Sequence, residues 1–183
     1  DHEELHINLV ECQSRNSRRK ARDGYNRFRN FLQRNQMNYS LFALTEDRVE
    51  DARKIIDSHF EMLRQRGKAI GSTSEDHQNS LDKDMLSIPG VRAYIGYLGE
   101  QPVSVFVGES LGNNRFALYT PFTLRDLGFV NLDIEDEEGF TALPMYSYLQ
   151  LFSQLRKKGF VEVHLGGSEL PDLNVFKRQL GGI

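Results

Sequence analysis

Residues 91–121 read VRAYIGYLGEQPVSVFVGESLGNNRFALYTP, three runs rich in β-branched and aromatic residues separated by two turn signals. Val91–Leu98, Pro102–Glu109 and Arg115–Pro121 have the length and texture of strands, and Gly99-Glu100 and Gly112-Asn113-Asn114 supply short turns between them. The stretch therefore predicts an antiparallel three-strand meander. Downstream, a helix is expected from about Thr141, with Pro144 tolerated in its first turn and Gly159 stopping it after Arg156-Lys157-Lys158. Phe160–Leu165 (FVEVHL) then alternates as a strand. A helix between two strands of one sheet makes a β-α-β crossover, so 115–121 and 160–165 should run parallel. A splay between those two strands would open a cleft onto the loops at their ends.

Working outward, Tyr39–Leu44 (YSLFAL) reads as a short strand, and Thr45 with Glu46-Asp47 reads as an N-cap and acidic first turn. The helix it opens should reach about Arg66 on the stripe Val49, Ala52, Ile56, Phe60, Leu63, with Gly67 to end it. Residues 71–80 (GSTSEDHQNS) read as a mobile loop before a short helix at 81–87. Residues 122–139 carry five acids in DIEDEE and read as too polar for a core element. A last helix is expected at 171–180. The fold class is α/β, an α+β mixed sheet in which an antiparallel meander is followed by a β-α-β crossover with flanking helices.

With 183 residues, 39% hydrophobic and 27% charged, the chain suits one soluble domain. No run approaches the ~20 apolar residues of a membrane span, and Asp1-His2-Glu3-Glu4 lacks the order of a secretory signal. The only cysteine, Cys12, has no intrachain partner, which excludes a disulfide framework and a cysteine metal site and fits a reducing, cytoplasmic setting. The net charge of −3 conceals a basic segment, Arg15–Arg34, with eight basic residues against one acid. It reads as a basic amphipathic helix from about Cys12 to Arg34, so the chain divides into a basic N-terminal helix (1–36) and a domain (37–183). Arg18, Arg19, Lys20 and Arg22 are candidate nucleic-acid contacts, because a dense row of cations tracks phosphates. The aromatics Tyr25, Phe28 and Phe31 fall on the stripe that should be buried. The alternative is that the helix docks on another domain or balances the acids at 133–138.

Two stretches carry a resemblance beyond the order of elements. VEVHLGGSELPDLNVFKRQLGG (161–182) and SRRKARDGYNRFRNF (17–31) resemble the GNAT-like acyltransferase superfamily, in its branch of Fem-type and phosphatidylglycerol lysyltransferase-like aminoacyltransferases. The resemblance implies a GNAT-like fold, with an aminoacyl group passing from aminoacyl-tRNA to an amine-bearing acceptor and no metal or other cofactor. It implies that Lys177, presented by Phe176, stabilises the oxyanion of the tetrahedral intermediate, with Arg178 beside it as a substrate contact. Gly166, Gly167, Ser168 and Glu169 permit close backbone approach to a ligand, although a tight turn would use the same residues. His164, on the strand face shared with Glu162, is a candidate proton acceptor. Tyr119 and Thr120 should line the cleft.

The sequence departs from the wider superfamily between Pro121 and Tyr146, where the Gly-rich signature for a CoA pyrophosphate is absent, and acetyl-CoA is correspondingly disfavoured. Relatives of this kind carry two tandem halves, so the chain is expected to be one half of a longer protein, any membrane contact coming through segments outside it. An acyl-CoA-dependent N-acyltransferase and a non-catalytic module binding RNA or protein are the alternatives.

Overall fold

The structure is a computed structural model describing residues 6–9, 19–67, 73–166 and 171–180. Among these residues, six strands form one sheet: β1 (His6–Asn8), β2 (Tyr39–Ala43), β3 (Val91–Leu98), β4 (Gln101–Gly112), β5 (Arg115–Thr123) and β6 (Glu162–His164). Their spatial order is β1-β6-β5-β4-β3-β2, and each neighbouring pair is antiparallel except β5 and β6. The meander and the parallel crossover are thus both present. The β4–β5 hairpin closes on Asn113 and Asn114, whose φ angles of 48° and 58° fit the left-handed pair of a two-residue turn that Asn tolerates.

Among the described residues, seven α-helices flank the sheet: α1 (Arg19–Arg34), α2 (Val49–Gln65), α3 (Ser74–Gln78), α4 (Lys83–Leu86), α5 (Glu137–Phe140), α6 (Leu143–Lys157) and α7 (Pro171–Gln179). On one face, Ala52, Ile55, Ile56 and Phe60 of α2 pack against Ile95, Val105, Val107 and Phe122. On the other, Tyr148, Leu151, Phe152 and Leu155 of α6 meet Phe106, Phe116, Leu118 and Val163. Burying such side chains contributes roughly 1.5–3 kcal/mol each, which makes this three-layer sandwich the main source of cohesion. A third cluster joins Phe28 and Phe31 of α1 to Phe140, Leu143 and Tyr146, so the aromatic stripe of the basic helix is internal, with Tyr25 stacked on Tyr146 at 4.8 Å.

Several local expectations require correction. The helix expected from Thr45 begins with a 3₁₀ turn at Glu46–Arg48, and Thr45 makes no side-chain cap bond. Part of the stretch read as a loop is helical, since Thr73 and Asp76 form a reciprocal capping box that starts α3. The acidic stretch is not excluded from the core: β5 continues to Thr123, Phe122 and Leu124 are buried, and α5 buries Gly139 and Phe140. Asp136 caps α5 through the Gly139 amide and pairs with Arg34, which is how acidic residues border an apolar contact. The unexpected element is β1, whose Ile7 is fully buried at the sheet edge together with Leu9 just after it.

Candidate functional site

The sheet parts where its parallel pair ends. β5 and β6 are in register only over Arg115–Ala117 and Glu162–His164, after which β5 runs six residues further while β6 stops and Gly166 turns away with φ 63°. At the parting β5 also changes its own alternation. Val107 pairs with Thr120 and Gly108 with Leu118, so Tyr119 is the extra residue of a bulge. Gly108 belongs to the same device, because a Cβ there would lie 2.1 Å from the Ala117 carbonyl oxygen. The bulge leaves Tyr119 37% exposed, and burial, then the nearby Glu109 charge, raises its phenol pKa. Thr120 faces inward beside Val107 and is buried.

Facing the splay is the C-terminal half of α7. Lys177 is buried, and its Nζ donates to the Gly166 carbonyl oxygen at 2.8 Å, which fixes an ammonium at the end of β6. Burial holds its pKa below the ordinary lysine value. Phe176 packs into the α6-side core with its ring 5.4 Å from that of Tyr148. Arg178 is exposed near the end of the helix. Lys177 and Gly166 thus meet just past the end of β6, two residues beyond His164 in the chain, whereas Phe176 anchors the helix rather than facing the splay. Gly167, Ser168 and Glu169 lie outside the described residues.

His164 occupies the last paired position of β6. Its Nε2 lies 2.7 Å from Glu162 Oε1, and His6 Nδ1 lies 3.2 Å from the same oxygen. His6 pairs with His164 across β1 and β6, their rings edge to face at 4.0 Å. The shared side of His164 and Glu162 was legible from alternation; His6 was not proposed. The signal that could have found it is Leu5-His6-Ile7-Asn8-Leu9, whose period of two reads as a strand.

Arg19, Lys20 and Arg22 line the exposed side of α1, Arg19 approaching Asp23 at 3.8 Å, and Arg18 lies outside the described residues. A groove of about 460 Å³, lined in part by Arg29, Met37, Tyr39 and Tyr146, opens beside this helix at the β2 edge, distant from the splay. Among the described residues, no helix is long and apolar enough to cross a membrane.

No protein-family model matches the sequence, and no curated protein matches it. Solved structures do match. A conserved protein of unknown function from Bacteroides thetaiotaomicron superposes with a TM-score of 0.71 at 13% identity over 100% of this chain and 56% of that one. FemX superposes at 0.66 with 8% identity, over 98% of this chain and 58% of that one. The C-terminal domain of a putative lysylphosphatidylglycerol synthetase from Agrobacterium fabrum superposes at 0.57 with 8% identity, over 100% and 57%. The chain thus spans little more than half the length of these solved chains, and it shares their fold.

Proposed function

We propose that this chain is an acyltransferase domain that passes an aminoacyl group from aminoacyl-tRNA to an amine at the β5–β6 splay. The observation that carries the reading is the buried Lys177 ammonium, held on the Gly166 carbonyl where the parallel strands part. The shared fold with FemX and the synthetase domain supports it. A neutral amine adds to the ester carbonyl, forming the C–N bond and a tetrahedral oxyanion. Collapse breaks the C–O bond, and the amine proton, taken up by water or the His164 imidazole, is passed to the ribose oxygen so that it leaves as the tRNA hydroxyl. A fixed ammonium at the strand end stabilises the negative charge as it develops, and it is already oriented and partly desolvated. The exposed cations of α1 suit the tRNA phosphates.

The test is single-turnover transfer from tRNA charged with a labelled amino-acid mixture to a panel of amine acceptors. Lys177→Met keeps the volume of the buried chain and should lower kcat/KM by roughly 10²-fold, the scale of a lost oxyanion donor. Thermal unfolding of the same variant separates this from loss of fold. Near-parental turnover by the folded variant removes Lys177 from the mechanism. Transfer from acetyl-CoA but not from charged tRNA replaces the proposed donor.

A further inference from the structure

We propose that His6, Glu162 and His164 form a three-ligand binding site for a divalent transition cation of the zinc class. The backbone brings them together through two independent pairings. Strand alternation puts Glu162 and His164 on one face of β6, and the β1–β6 register sets His6 directly across from His164. All three side chains therefore project on the face opposite Ile7 and Val163, which are packed into the α6-side core. One ligand atom from each lies within 4.8 Å of the others.

The chemistry of the set is selective. Two imidazoles and one carboxylate form a borderline donor group suited to Zn²⁺ rather than to Mg²⁺ or Ca²⁺, and three protein ligands leave a fourth position open. Ligand atoms about 2.0–2.1 Å from a tetrahedral ion stand about 3.3 Å apart. The 3.2 Å between His6 Nδ1 and Glu162 Oε1 already has that value, and the 2.7 Å from His164 Nε2 needs only a small opening. His164 Nε2 is buried and makes no hydrogen bond to the carboxylate despite the 2.7 Å approach, so it is not held as an N–H donor to Glu162 and can offer an in-plane electron pair to an ion. The three side chains are 32%, 34% and 17% exposed, in the order His6, Glu162, His164, which gives an ion a path from solvent.

The site lies where β5 and β6 part, and it ties the sheet-edge strand β1 to β6. Its existence does not depend on the acyl-transfer reading. A cation on His164 Nε2 would occupy the electron pair that proton transfer needs, so ion binding and the base role exclude one another at that residue.

Calorimetric titration of the full chain, stripped with chelator, with Zn²⁺ alone should show one site with submicromolar affinity and a rise in Tm. Co²⁺ should give the strong visible absorption of a tetrahedral centre, and Mg²⁺ should leave both signals unchanged. His6→Gln and His164→Gln should each weaken Zn²⁺ binding by at least 10-fold. Glu162→Gln, which conserves shape, should weaken it with the metal-free Tm nearly intact. Absence of a one-to-one site in the parent overturns the proposal, as does a site whose affinity none of the three substitutions changes. Since the readouts are binding, spectrum and Tm, failure here is distinguishable from failure of the transfer assay.

Discussion

At the scale of single residues, burial shifts the ionisation of the histidine and tyrosine side chains drawn out of water, whereas the carboxyls of Asp47, Asp76 and Asp136 are lowered by hydrogen bonds. His59 sits between Phe60 and Phe122, its ring 4.8 Å from that of Phe122, and burial followed by the Arg125 charge pushes its pKa down to about 4. An unfolded chain titrates this imidazole near 6.5, so between about pH 4 and 6.5 the unfolded state binds the extra proton. Stability from this group is complete above about pH 6.5 and is lost as pH falls, by about 2 kcal/mol at pH 5. Urea midpoints at pH 7 and pH 5 should therefore differ less in His59→Gln than in the parent. An equal difference in both would show that His59 is not the titrating group. Lys177 shows how far a residue can be read from sequence. Its place in a Phe-Lys-Arg pattern was legible, but its burial against Gly166 depends on how α7 meets the end of β6, two segments whose packing no local pattern encodes. For the same reason alternation gave the Glu162–His164 pair while His6, a neighbour only through strand pairing, escaped.

At the scale of elements, long periodic segments were legible and short capped ones were not. The meander, α2, α6 and α7 lie close to where turn residues and apolar stripes predict them. By contrast α3 and α5 are helices of five and four residues with almost no apolar stripe, specified by side-chain oxygens on backbone amides at Thr73 and Asp136. The Thr73-Ser74-Glu75-Asp76 signal was present in the sequence, but the surrounding polarity masked it. The helix α1 tests charge as function. Phe28, Phe31 and Leu32 are internal while Arg19, Lys20 and Arg22 face solvent, so replacing the three cations with Ala should leave the fold intact. If α1 contacts tRNA, the triple variant should bind more weakly in gel-shift titrations. Its slope of log K against log salt should flatten by about 0.7–0.9 for each lost phosphate contact. Parental affinity and slope would remove the helix from RNA binding. Arg34, a further cation at the end of α1, is instead spent on the acidic segment through its pair with Asp136.

At the scale of the whole molecule, the three-layer order follows from alternation in the central strands, with α2 on one face and α1, α6 and α7 on the other. That much was legible from a helix placed between two strands after a meander. The sixth strand was not, because three residues of β1 gain their stability entirely from a distant partner. This pairing has a consequence in time. Ile7 meets Val163 across 156 positions of chain, so closing that contact costs more chain entropy than closing either hairpin of the meander, whose strands are joined by two-residue turns. In pulse-labelled hydrogen exchange during refolding, the amides of β1 should gain protection after those of β3, β4 and β5; simultaneous protection would refute that order. During synthesis the delay is longer still. Ile7 and Leu9 leave the ribosome before any of β6 exists, and until it emerges they are an uncovered apolar edge that a chaperone, or another nascent copy, is free to engage.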